Sequence, residues 1–195
     1  MPTGNDYSFT TISALYDVVS LIIKDINKNI SYGLPYKKDE VSLNRPSDND
    51  LDKYFKLVMR YFNGIKKYFP EFKSYCESDD YKKLGEKLRH GTGGHILFRP
   101  QGLLMISKVI TKLTEKYTLD KSIRLISKAP LLYEDEAYSM LLWNNISNTV
   151  VKSKEALVKD IMLDNLGVFP VGKKLDLLKR YKKTFNDKSK IPNII

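Results

Sequence analysis

Two arginines, two histidines and three glycines fall within the eleven residues Arg89-His90-Gly91-Thr92-Gly93-Gly94-His95-Ile96-Leu97-Phe98-Arg99. This combination suits an anion site. Glycines let backbone N–H groups approach a charged oxygen, and the helix that Pro100 opens carries partial positive charge at its start. Arg89, Gly93, Gly94 and Arg99 are therefore candidate anion contacts, although the same glycines also serve a plain turn between helices. The segment lacks the Gly-Lys-Ser/Thr ending of a P-loop and the glycine spacing of a dinucleotide fingerprint, so nucleotide binding is not indicated.

Other catalytic chemistry finds little material. His90 and His95 are the only histidines, and no motif sets either beside a Ser or Cys nucleophile. With Cys76 they reproduce no four-ligand zinc spacing. Glu134, Asp135 and Glu136 are adjacent, so on a helix they point in different directions; they suit the acidic first turn of a helix running through Trp143. Trp143 reads as a core anchor rather than a base-stacking platform. No catalytic residue, metal or cofactor is expected.

The C-terminal region offers a second anion-binding candidate. Lys173, Lys174, Lys179, Arg180, Lys182, Lys183, Lys188 and Lys190 stand against Asp176 and Asp187, giving +6 of the net +10 within eighteen residues. A basic helix and tail over 173–195 can lie along a phosphate backbone, or can simply be a solvated face. The excess of cations makes nucleic acid the leading polyanion.

The elements positioning these residues read as helices. Apolar spacing of three and four predicts helices from Ser8 to about Asn29, from the Ser47 cap to Phe69, over Tyr81–Leu88, from Pro100 to Lys116, over Leu119–Ser127, from a Ser153 cap to Leu166, and over Leu175–Phe185. A loop runs from Ser31 through Arg45-Pro46, and Ile96-Leu97-Phe98 reads as a short extended piece. In the last helix Leu175, Leu178, Tyr181 and Phe185 form the apolar side. The expected fold is all-α: one irregular multi-helix bundle over 1–195, with minimal strand and at least two-thirds helix. One cysteine, no apolar run long enough to span a bilayer and no secretory signal fit a cytoplasmic protein without a membrane partner.

Gly93-Gly94-His95-Ile96-Leu97-Phe98-Arg99-Pro100-Gln101-Gly102 resembles the Leu-Phe-Arg-Pro-x-Gly segment in the C-terminal half of the DndB-like, or DGQHR-domain, family. Leu141-Leu142-Trp143-Asn144, followed by Lys152 to Leu166 and Gly167, is similar to that family's closing pattern. Phe9-Thr10-Thr11 to Leu15-Tyr16 and Arg45-Pro46-Ser47 fall in the same order, so the resemblance covers residues 8–168. It implies bacterial DNA phosphorothioation as the setting, other DNA-modification proteins as partners, and a structural or anion-contact role for Arg99, Pro100 and Gly102. The Asp-Gly-Gln-His-Arg motif that names the family is absent, so no activity of that half carries over. The resulting expectation is a non-enzymatic DNA-associated module acting in regulation or assembly. The alternatives are a helical protein-interaction module with incidental charge and an accessory subunit of a DNA-processing enzyme.

Overall fold

The computed structural model describes residues 7–34, 46–144, 146–185 and 190–195. The loop expected up to Arg45 therefore lies mostly outside the described residues, as do Asp187 and Lys188. Thr11 accepts a hydrogen bond from the Ala14 amide and opens α1 (Ile12–Leu21), later than the Ser8 start predicted. This helix continues through a π-helical turn (Ile22–Ile26) into one final turn, α2 (Asn27–Asn29). Ser47 caps α3 (Asp48–Tyr68) as predicted. Pro70 ends that run but also occupies the first turn of a further helix, α4 (Pro70–Glu77), where a missing N–H costs nothing. Asp80 caps α5 (Tyr81–Leu88), Pro100 opens α6 (Pro100–Leu113), and Thr118 caps α7 (Leu119–Ile126).

Two predicted elements differ. Ile96–Phe98 is a 3-10 turn rather than an extended piece. The helix expected from Glu134 to Trp143 is replaced by a 3-10 turn (Glu136–Tyr138) and a short antiparallel hairpin, β1 (Trp143–Asn144) with β2 (Thr149–Val150). Side chains acting on backbone explain the change: Asp135 Oδ2 accepts from the Leu132 amide at 3.0 Å, and Asn144 Oδ1 accepts from the amides of Ile146 and Ser147. Trp143 is buried, as a core anchor should be. The following helix, α8 (Glu155–Asn165), has Lys154 at its cap position after a 3-10 turn, with no side-chain cap from Ser153. The last helix is α9 (Lys174–Phe185). Helical residues amount to 65%, just under two-thirds, and the fold is mostly all-α.

Helix α6 is apolar around most of its circumference, so it occupies the centre: Leu103, Met105, Ile106, Val109, Ile110 and Leu113 are all buried. Around it pack α1, the π turn, α7 and α8, while α3 lies against α7 and the π turn. Tyr61 on α3 and Ser107 on α6 meet at 2.8 Å inside the core, and Ser107 donates onward to the Leu103 carbonyl. Helix α9 lies outermost, against α8. Its buried side chains are Leu177 and Tyr181, whereas Leu175, expected on the apolar side, is 74% exposed. The chain end folds back here: the Ile194 amide donates to Asn165 Oδ1 at 2.7 Å, and Ile194 is buried. Among the described residues no helix is long and apolar enough to cross a membrane.

Candidate nucleic-acid interface

The glycine-rich loop is constructed around a negative charge belonging to the chain itself. Gly93 and Gly94 have φ of 143° and 92°, conformations that L side chains rarely adopt. The Gly94 amide donates to Glu134 Oε2 at 2.9 Å, and a Cβ at Gly93 would collide with that oxygen. The other Glu134 oxygen faces His90 Nε2 at 3.3 Å, while His90 Nδ1 lies 2.9 Å from Thr92 Oγ1. Hydroxyl, imidazole and carboxylate thus stand in relay order. The carboxylate, however, is also engaged by the Gly94 amide, and hydroxyl and imidazole belong to one exposed turn.

Arg99 closes the loop from the other side. Its Nε donates to the Gly93 carbonyl at 3.1 Å, and its Nη2 to the carbonyls of Gly93 at 2.7 Å, His90 at 2.6 Å and Arg89 at 3.3 Å. Arg89 donates to the Ser8 carbonyl at 2.9 Å. The planar, multi-donor guanidinium suits this gathering of carbonyls. A phosphate arriving here would have to displace Glu134 and compete for Arg99.

The rest of the Leu-Phe-Arg-Pro-x-Gly motif has packing roles. Leu97 and Phe98 are buried, and a Cβ on Gly102 would strike the Ile96 carbonyl oxygen and come within 2.8 Å of the Tyr133 hydroxyl. His95, also buried, accepts from the Leu97 amide through Nδ1, so the proton sits on Nε2, 3.5 Å from Glu71 Oε2. That separation is too poorly directed for a hydrogen bond, and neither atom has another partner. Burial pushes the imidazole down to about 4, outweighing the pull of Glu71.

The cations of α9 and of the 3-10 turn before it (Val171–Lys173) fall into two groups. Arg180 Nη2 donates to Asp160 Oδ2 on α8 at 2.8 Å and its Nε to Asp176 at 3.0 Å; the Asp160 bond chiefly raises its already high pKa. Lys174 reaches Asp164, also on α8, at 2.8 Å. These two fasten α9 to its neighbour. Lys173, Lys179, Lys182 and Lys183 are exposed and, among the described residues, pair with no carboxylate. The last three lie within about one helical turn, on the face that also exposes Leu175.

A groove of about 710 Å³ runs between α9 and the central helices, with Lys28, Lys112, Lys159 and Lys173 on its walls. Its charge is largely balanced internally: Lys112 pairs with Glu115 at 2.7 Å and Lys159 with Asp160 at 3.5 Å, and Asp25 and Asp176 also line it. Lys179, Lys182 and Lys183, which pair with no carboxylate among the described residues, lie on the outer face of α9. Among the described residues no three His, Cys, Asp or Glu side chains converge as a metal would require.

The sequence did not reveal that Glu134 completes the loop, because forty residues separate it from Gly94. Asp160 and Asp164 left more of a signal: an i, i+4 acidic pair on one face of a helix is a ready mate for a basic helix. No family model, curated protein or solved structure matches this chain.

Proposed function

We propose that the protein is a non-enzymatic module that holds DNA by its phosphate backbone through the outer face of α9, in a DNA-modification setting of the phosphorothioation type, where it acts in regulation or assembly with other modification proteins. The observation that carries the DNA contact is the separation of the cations of α9 and the turn before it: Arg180 and Lys174 are tied to α8, while Lys179, Lys182 and Lys183 on the outer face, and Lys173 in the turn, pair with no carboxylate among the described residues. Lysine ammonium groups on such a face neutralise phosphates without reading base edges. The exposed Leu175 would lie against sugar rather than phosphate. The setting rests on the DndB-like resemblance over residues 8–168 and is independent of α9.

Titration of labelled duplexes at several salt concentrations tests this reading: affinity falling steeply with salt and indifferent to sequence is expected. The rival reading, a protein-interaction module whose charge is incidental, gains from a separate apolar surface on α3.

A further inference from the structure

Helix α3 carries two apolar stripes. One, through Tyr54, Leu57, Tyr61 and Ile65, is buried and completes the helix's share of the core. The other, through Leu51, Phe55 and Met59, recurs every four residues on a solvated side, and Phe55 is 65% exposed. Between this stripe and α7 lies a groove of about 470 Å³. Met59 lines it, while Leu119 and Ile123, both buried, lie beneath it. The two helices approach closely at Gly64, where a Cβ would come within 2.5 Å of Ile123 Cδ1.

The border of the groove is cationic. Lys56 and Arg60, one turn apart, line it and have no carboxylate partner among the described residues. Asp120, the carboxylate lining it, is already held by Lys67 at 3.0 Å and by the Tyr68 hydroxyl at 2.7 Å.

We infer that this groove docks an amphipathic helix of a partner protein, its apolar side chains lying against Phe55 and Met59 and its flanking carboxylates meeting Lys56 and Arg60. The stripe from Leu51 to Met59, of which Phe55 and Met59 line the groove, extends about 12 Å along α3, which matches two turns of a docked helix. Charge complementarity sets the sign of the partner's flanks.

The test uses the whole chain as bait for a displayed library of random fifteen-residue helix-forming peptides. Selected peptides are then titrated by fluorescence anisotropy beside a fifteen-nucleotide oligothymidine. The expected winners place apolar residues at i, i+4 and i+7 with Asp or Glu alongside. They should weaken at least about tenfold on Phe55→Ala, the size of effect an aromatic anchor gives, and similarly on the Lys56→Glu, Arg60→Glu double change. Because Phe55 is exposed, its replacement should leave the unfolding midpoint in place, so weaker binding reports the surface. Failure to select peptides, winners without acidic flanks, or binding indifferent to Phe55→Ala would overturn the inference. So would self-association, or oligothymidine binding in place of peptide binding, that depends on Phe55.

Discussion

Arg180 and Asp160 meet at 2.8 Å, and that contact, with the Lys174–Asp164 pair, fixes the outermost helix against α8. A basic helix that looks uniformly cationic in sequence is thereby divided into fastening and free charges. Arg180→Ala is expected to lower stability by about 1 kcal/mol, since the pair is partly exposed and screened while Asp160 is left without its main partner. Lys179→Ala and Lys183→Ala should leave the urea midpoint where it is. Equal destabilisation by all three would contradict the division.

The Glu134 carboxylate and Arg99 hold the glycine loop from opposite sides. Arg99→Ala should destabilise by about 1–3 kcal/mol, because carbonyls of three residues, those of Arg89 and Gly93 partly buried, lose a charged donor. Arg99→Lys should recover little of it, one ammonium being unable to serve carbonyls spread across three residues. In Glu134→Ala the loop loses its internal anion, so inorganic phosphate should raise the Tm of this variant and not that of wild type. A phosphate-induced rise of equal size in both would show that the loop already accepts an external anion.

Gly102 sits where any side chain would meet the Ile96 carbonyl oxygen. Since backbone cannot swing aside as a side chain can, Gly102→Ala should cost about 1–3 kcal/mol. Chemical denaturation measures this directly. A neutral outcome would mean that α6 shifts along its axis without penalty.

His95 makes stability depend on pH. Folded, its imidazole is neutral down to about 4, whereas in the unfolded chain it takes up a proton near 6.5. Between those values the unfolded state binds more protons, so the contribution is complete above about pH 6.5 and is lost as pH falls toward 4. About 2 kcal/mol should disappear between pH 7 and 5. His95→Gln, which cannot titrate, should show a flatter dependence across this window; an unchanged slope would place the effect elsewhere.

Much of the fold was legible because apolar periodicity, caps and prolines act locally: Ser47, Pro100 and the stripe from Leu103 to Leu113 each marked its element. The departures arose where side chains captured backbone at short range. Asp135 and Asn144 diverted the stretch before α8 into turns and a hairpin, despite an acidic run suited to a helix start. In the site, the residue types were readable but their partners were not. Nothing local pairs Gly94 with Glu134 or Arg180 with Asp160, and those pairings decide which charges face outward. Leu175 shows the same limit: the helix stands where periodicity puts it, but its phase against α8 is set by Leu177 and Tyr181.

We propose that the lysines of α9 and the turn before it hold DNA by its phosphates. Anisotropy titrations of two unrelated duplexes, across a salt series, should compare wild type with a variant carrying Lys173→Gln, Lys179→Gln, Lys182→Gln and Lys183→Gln, with Arg180 and Lys174 kept so that α9 stays in place. Wild type should bind both duplexes alike. The variant should bind both more weakly, with the log–log salt slope reduced by roughly 0.9 for each phosphate that is no longer neutralised and the unfolding midpoint unchanged. Equal affinity and equal slope in the two proteins would contradict the claim.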